Sequence, residues 1–292
     1  MPNNEAAPET PVKTKLTAAD LRGAKEHGRR LTMVTAYDHP SALLADRSPV
    51  DLILVGDSLG NNVLGYENTA VVSMEEMLHH LRAVVRGAAR TMVVADMPLG
   101  SYQVSIQSAI ANAVLFLKAG ADCVKLEGGA AFADTVRGLT RAGISVIGHA
   151  GLMPQTLPPS AWRVQGRDAA AARRILDDAL ALEAAGACAL VLEAIPSPLA
   201  AHITGSLRIP TIGIGAGPDC DGQVLIWHDL LGLHEYSPRH NKQYALLYQE
   251  IGQALETYCR EVTAGEFPTA RQGYSMKEED LRAALHADVG TD

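Results

Sequence analysis

The stretch Ile53-Leu54-Val55-Gly56-Asp57-Ser58-Leu59-Gly60 decides how this chain is read. A β-branched and aliphatic run ends in a glycine, a carboxylate and a hydroxyl, the pattern of a buried strand that delivers polar chemistry from its C-terminal tip. The pattern recurs: Met92-Val93-Val94-Ala95 leads to Asp96, Cys123-Val124-Lys125-Leu126 to Glu127, Ser145-Val146-Ile147-Gly148 to His149, and Ala189-Leu190-Val191-Leu192 to Glu193. Strands that each carry one ionisable group at the C-terminal end predict the active face of a parallel α/β barrel, the TIM-barrel class.

The segments between these strands fit that class. Ala119-Gly120-Ala121 precedes Leu126-Glu127 at the spacing by which Ala185-Gly186-Ala187 precedes Leu192-Glu193, so each copy reads as a helix closed by glycine, then a strand, then a carboxylate. Thr17 caps a first helix through Glu26, Leu31 to Ala36 make the first strand, and Gly222 to Trp227 complete the eighth. Asp38, just ahead of Pro40, reads more readily as a helix N-cap than as a ligand, and Ser73 with Glu76 forms a capping box. The Gly- and Asn-rich segment 60–68 follows a strand end, where loops close over ligands. Tyr244, Leu247, Tyr248, Ile251, Leu255, Tyr258 and Val262 recur at helical spacing; such a stripe is expected to pack on its own barrel, with a subunit contact as the second reading. The expected organisation is a disordered lead over 1–15, a barrel with its C-terminal helix over 16–267, and a tail with a short helix over 268–292.

Composition narrows the function. Hydrophobic content of 47% with 4% aromatic residues describes a core of Ala, Val, Leu and Ile, suited to a parallel sheet under helices. A formal charge of -8 argues against a nucleic-acid partner and for a small-molecule substrate. The start of the chain has no apolar h-region, and no apolar run is long enough to span a bilayer. Cys123, Cys188, Cys220 and Cys259 form no CxxC pair and read as packing thiols in a reducing compartment, so a cytoplasmic location is expected.

Side chains alternate along a strand, so Ile53, Val55 and Asp57 are expected to share a face, as are Met92, Val94 and Asp96, Lys125 and Glu127, and Val191 and Glu193. If those faces point inward, Asp57, Asp96 and Glu127 converge at neighbouring strand ends. Two unit charges 4 Å apart repel by about 4 kcal/mol at an effective dielectric near 20, so the cluster calls for a cation. Oxygen-only ligands favour Mg²⁺, which keeps positions open for the oxygens of an α-keto acid and stabilises its enolate. Lys125 either meets the substrate carboxylate or forms a buried ion pair with Glu127. Glu193, across the barrel from that group, is a general base for a carbon acid or a loop cap, and the echo with Glu127 favours the base. His149 is either catalytic or a hydrogen-bonded rim histidine. Gly213-Ile214-Gly215-Ala216-Gly217 is not a dinucleotide fingerprint, because Pro218 takes the third glycine's place; the glycines leave room for close backbone approach.

With those residues in view, the chain resembles the ketopantoate hydroxymethyltransferase family from about Thr32 to Pro268. The resemblance rests on Thr35-Ala36-Tyr37-Asp38, Val55-Gly56-Asp57-Ser58-Leu59-Gly60, Ala95-Asp96-Met97-Pro98, Val124-Lys125-Leu126-Glu127-Gly128-Gly129, Val164-Gln165-Gly166-Arg167, and Ile212 to Gly217 with Asp221-Gly222-Gln223, all in order. It implies a (β/α)₈ barrel of the phosphoenolpyruvate mutase and isocitrate lyase type, in a homo-oligomer that is commonly decameric. It implies transfer of a one-carbon unit from 5,10-methylenetetrahydrofolate to 3-methyl-2-oxobutanoate, giving 2-dehydropantoate. By position, Asp57, Asp96 and Glu127 take the family's Mg²⁺ sites, Asp57, Ser58, Asp96 and Lys125 its keto-acid contacts, and Glu193 its proton acceptor. Ser160-Ala161-Trp162-Arg163 replaces the family's usual Gly-Gly-aromatic-Lys, and Leu99 a common Phe. A carbon-carbon lyase on the same barrel and a non-catalytic keto-acid-binding oligomer are the rival readings; the first lacks its expected Lys-Lys-Cys-Gly-His-like loop here.

Overall fold

The computed structural model describes residues 13–235 and 237–286, so most of the lead expected over 1–15 and the end of the tail lie outside the described residues. The chain runs α1 (Ala18–Glu26), β1 (Leu31–Thr35), α2 (His39–Arg47), β2 (Leu52–Val55), α3 (Leu59–Asn62), α4 (Met74–Gly87), β3 (Met92–Asp96), α5 (Ile106–Lys118), β4 (Cys123–Glu127), α6 (Ala133–Arg141), β5 (Val146–Gly151), α7 (Ala169–Ala184), β6 (Ala189–Glu193), α8 (Ser197–Ser206), β7 (Thr211–Ile214), β8 (Gly222–Leu225), α9 (Trp227–Leu231), α10 (Leu247–Ala264) and α11 (Glu278–His286). Each strand pairs in parallel with its sequence neighbour, and β8 pairs with β1, so the sheet closes into a barrel. The eighth strand stops at Leu225, two residues short of the expected Trp227.

Local chemistry starts the helices where the sequence places them. Thr17, Ser73 and Ser105 accept backbone N–H bonds in reciprocal capping boxes, which satisfies donors that a helix start otherwise leaves open. Asp38 does the same for α2, its carboxylate accepting from the Ser41 N–H at 2.8 Å. That carboxylate serves the fold.

Alternation then sorts the strands into two cores. Outward-facing Val34, Ile53, Val55, Val93, Val124 and Leu190 pack under the helices against Met77, Leu81, Val84, Phe116, Leu139 and Leu182. Inward-facing Leu31, Met33, Leu52, Leu54, Met92, Val94, Cys123, Ile147, Ala189 and Val191 fill the barrel, and Leu21 and Ala24 of α1 close its floor. The expected shared face of Ile53, Val55 and Asp57 is therefore corrected: Ile53 and Val55 point outward to the helices, while Leu54 points in. Asp57 comes after the strand has ended at Val55, so its direction is set by the turn through Gly56 and not by strand alternation.

The ring closes at a polar joint on the floor. Asp221 accepts the Leu31 N–H through its backbone carbonyl at 2.9 Å, and its carboxylate accepts from the Thr211 N–H at 2.9 Å and the Lys25 ammonium at 2.7 Å. One acid thus ties α1, β1 and β7 together at the start of β8. Above this joint, β7 and β8 are linked only by residues 215–221, with no helix between them. Gly215 and Gly217 take positive φ of 64° and 86° in that link, and a Cβ at Gly217 would collide with the side chain of Ser197 at the start of α8. Only glycine fits there without strain.

The apolar stripe of α10 does not pack on the barrel as expected. Leu255 and Tyr258 are 59% and 55% exposed, and no residue of the helix is buried. Amphipathic spacing identifies an apolar face without saying what covers it.

The α1 floor plug should carry measurable stability. Leu21→Ala is expected to lower the unfolding free energy by about 2–5 kcal/mol, because a fully buried leucine leaves a cavity that the rigid barrel wall cannot fill. Urea denaturation checks this, and a loss under about 1 kcal/mol would show that the plug is not part of the core.

Candidate active site

The inward faces of β3 and β4 end in an ion pair. Asp96 and Lys125 stand opposite each other in register, and the ammonium donates to Asp96 Oδ1 at 2.7 Å and Oδ2 at 2.8 Å. Both are buried. Burial opposes the lysine's charge, but Asp96, Asp57 and Glu127 outweigh it and hold the ammonium above its usual range. The partner is Asp96 and not the Glu127 considered from sequence, because strand stagger brings Asp96 level with Lys125.

Two further carboxylates crowd this pair. The Asp57 N–H donates to Asp96 Oδ2 at 3.4 Å. Burial and then Asp96 push the Asp57 carboxyl up to about 7, against the pull of Lys125 and a hydrogen bond from Gln155. Burial, followed by Asp57, drives Glu127 well above its ordinary value. Ser58, the residue after Asp57, has its hydroxyl 2.9 Å from the hydroxyl of Tyr37. The rim segment after it folds on itself, with the Asn62 amide donating to Ser58 O at 2.8 Å and the Asn61 amide to Tyr66 O at 3.1 Å.

Gln155 joins these groups, and the sequence pattern did not reveal it. It lies in the long irregular segment after β5, where no periodicity marks a residue as inward-facing. Its amide donates to Asp57 Oδ2 at 2.8 Å and to Met97 O at 2.9 Å. Its backbone N–H donates to Glu127 Oε2 at 3.1 Å, and its Oε1 accepts from the Tyr102 hydroxyl at 2.8 Å. One buried residue, through its side chain and its backbone N–H, therefore fixes the spacing between the ends of β2, β3 and β4.

Across the mouth stands Glu193, its side chain 23% exposed where that of Glu127 is 3%. The residue after it, Ala194, has a φ of 47°, unusual for anything but glycine. Its N–H donates to Ile214 O at 2.9 Å and its carbonyl accepts from the Gln165 N–H at 2.8 Å, which pins the turn that follows Glu193. Between the two glutamates lies His149, with Nδ1 3.7 Å from Glu127 Oε1 and Nε2 3.3 Å from Glu193 Oε2.

All six residues singled out from sequence, Asp57, Ser58, Asp96, Lys125, Glu127 and Glu193, thus end at the C-terminal rim of the strands. Asp57, Asp96 and Glu127 surround Lys125, and Glu193 faces them across His149. The donor set fits a hard divalent cation: it offers oxygen ligands only, and the two carboxyls pushed up by burial would regain their charge beside a positive ion. Among the described residues no three His, Cys, Asp or Glu groups form a closed ligand set by themselves. An ion held here would therefore have to complete its shell with water and substrate oxygens. Such an arrangement offers an ammonium to a small oxygenated anion and, across the mouth, a carboxylate able to accept a proton.

Comparison with known proteins places this geometry. Residues 15–270 match the family described as ketopantoate hydroxymethyltransferase. A 3-methyl-2-oxobutanoate hydroxymethyltransferase from Moorella thermoacetica is 53% identical over 265 residues, covering 90% of this chain and 98% of that protein. Among solved structures, a phosphonopyruvate hydrolase in complex with oxalate and Mg++ superposes with a TM-score of 0.59 at 17% identity, over 92% of this chain and 98% of the other. A 2,3-dimethylmalate lyase, a member of the PEP mutase/isocitrate lyase superfamily, does so with a TM-score of 0.56 at 16% identity, over 93% and 95%. At that identity these two structures establish the fold, a barrel of the PEP mutase/isocitrate lyase type.

Removing the Gln155 side chain leaves buried groups without partners. Gln155→Leu is expected to cost about 1–3 kcal/mol of stability, since Asp57 Oδ2 and the Tyr102 hydroxyl lose their bonds. Tyr102→Phe in the Gln155→Leu background should then add little. Equal and additive losses in a double-mutant cycle of thermal melts would refute the coupling.

Proposed function

The chain belongs to the ketopantoate hydroxymethyltransferase family, and from that premise we propose the reaction it carries out. A one-carbon unit passes from 5,10-methylenetetrahydrofolate to 3-methyl-2-oxobutanoate, with water completing the hydroxymethyl group, to give 2-dehydropantoate and tetrahydrofolate in pantothenate synthesis. The observation that carries this reading is the rim itself: three buried carboxylates around one lysine, with a more exposed glutamate facing them.

Asp57, Asp96 and Glu127 are the residues that would hold Mg²⁺, which when bound supplies a Lewis acid that polarises the keto group. Asp57, Ser58, Asp96 and Lys125 line the place of the keto acid. Lys125 offers positive charge to its carboxylate, and the Ser58 hydroxyl, held 2.9 Å from that of Tyr37, offers it a hydrogen bond. Glu193 takes the single proton from C3. Water releases the methylene from folate as formaldehyde, its oxygen staying on that carbon while both C–N bonds break and its two protons go to the nitrogens of the departing tetrahydrofolate. The electron pair left on C3 then attacks that carbonyl carbon, and the alkoxide formed takes up the proton held by Glu193 to become the new hydroxyl. Burial of the opposite wall keeps bulk water from the charged groups while the partly exposed Glu193 can exchange its proton with solvent.

The rival lyase reading would need a cysteine at the rim. Cys123 begins β4, Cys188 precedes β6, Cys220 precedes β8 and Cys259 lies on α10, so all four are away from the strand ends that carry the acids. No described helix is long and apolar enough to cross a membrane, and the reading places the enzyme in the cytoplasm. The bare stripe of α10 supports assembly with further copies of the chain.

Release of tetrahydrofolate from the two substrates tests the reaction directly, and its absence would overturn it. Glu193→Gln should slow exchange of the C3 hydrogen with deuterated water, measured without folate, by about 10²–10⁴-fold; exchange at the parent rate would remove Glu193 as the base. Asp57→Asn should weaken Mg²⁺ binding by at least about tenfold in calorimetry, and unchanged affinity would remove the ligand role. Leu255→Glu on α10 should lower the particle mass in light scattering, whereas an unchanged mass would locate the contact elsewhere.

A further inference from the structure

The reaction above gives His149 no task, yet its position is exceptional. It is 1% exposed, and neither ring nitrogen has a hydrogen-bond partner. Buried polar atoms without partners are rare, because each costs its full desolvation. The ring is held in β5, between β4 and β6, level with Glu127 on one side and Val191 on the other. A carboxylate oxygen faces each nitrogen: Glu193 Oε2 at 3.3 Å from Nε2, and Glu127 Oε1 at 3.7 Å from Nδ1.

Only the Glu193 oxygen lies within hydrogen-bond reach of the ring, since 3.7 Å from Nδ1 to Glu127 Oε1 is too long for one. The nearer oxygen is that of Glu193, and Glu127 already accepts the Gln155 N–H through Oε2. We infer that His149 is a positioning residue for the base: its Nε2–H donates to Glu193 Oε2 and turns the other carboxylate oxygen toward the reacting carbon. Glu193 sits at the strand tip with its side chain partly in solvent, and an unanchored carboxylate there samples orientations that face away from the substrate. Misplacement by about 1 Å costs on the order of 10²-fold in rate. Contacts of this kind lie long before substrate binds and tighten in the working complex.

The inference rests on Glu193 being the base, and amide variants of His149 separate the two. The amide nitrogen of Gln lies near the position of Nε2, and that of Asn near Nδ1. In C3 deuterium exchange without folate, His149→Asn should slow the reaction by about 10–100-fold, while His149→Gln should stay within about threefold of the parent. KM for the keto acid should not move in either variant. Imidazole ¹⁵N shifts in the metal-free protein should place the proton of His149 on Nε2. Equal exchange in the Asn and Gln variants, fast or slow, or a proton on Nδ1, overturns the inference. If Glu193→Gln exchanges as fast as the parent, the base assignment falls instead, and the position of the ring proton alone decides which acid His149 serves.

Discussion

The Asp96–Lys125 ion pair is the one balanced element in a site that is otherwise short of positive charge. Three carboxylates share a buried rim with a single ammonium, and both oxygens of Asp96 already accept from it. The unbalanced charge falls on Asp57 and Glu127, whose carboxyls burial pushes upward. Breaking a buried pair by removing one partner typically costs about 3–5 kcal/mol, because the other charge is left uncompensated. The barrel tolerates the arrangement because the strand ends are fixed by their ladders and by Gln155, so the acids cannot drift apart to relieve their repulsion. The standing demand for a cation is thus a property of the fold.

Much of this was legible in the sequence, for a definite reason. Period-two alternation places Asp96, Glu127 and Glu193 on the barrel interior, and the structure finds Met92 and Val94 below Asp96, and Val191 below Glu193, in the interior core. Asp57 reached the same rim by a route that alternation does not describe, since its strand ends at Val55 and the turn redirects it. The partner of Lys125 was not legible, because alternation assigns a face while pairing depends on how far one strand is shifted against the next. Gln155 was hidden for a third reason: irregular segments have no period, so an inward-facing residue in one looks like any other glutamine.

Several residues that invited chemical readings serve the architecture. Asp38 caps a helix, and the glycines of 213–217 allow a tight strand-to-strand link in which a side chain at 213 or 217 would collide with Cys220 or Ser197. The apolar stripe of α10 shows the converse, a feature expected to be internal that stands bare. Stability and chemistry occupy opposite ends of the barrel: hydrophobic plugging and the Asp221 joint lie at the floor, and the ionisable groups lie at the strand tips.

The Asp221 joint also constrains how the chain can be made. The ladder that shuts the ring lies between β1 and β8, at opposite ends of the barrel sequence. As the polypeptide leaves the ribosome, β1 must wait with an unpaired edge until Asp221 and the strand after it emerge. An open parallel sheet of this length is a template for joining other chains, and pairing between distant segments forms slowly. Until then the outer face of the growing sheet can be covered by early helices such as α2 and α4, which pack on it in the finished fold, and the arrival of β8, with α9 to α11 still to follow, turns an open ribbon into a sealed cylinder.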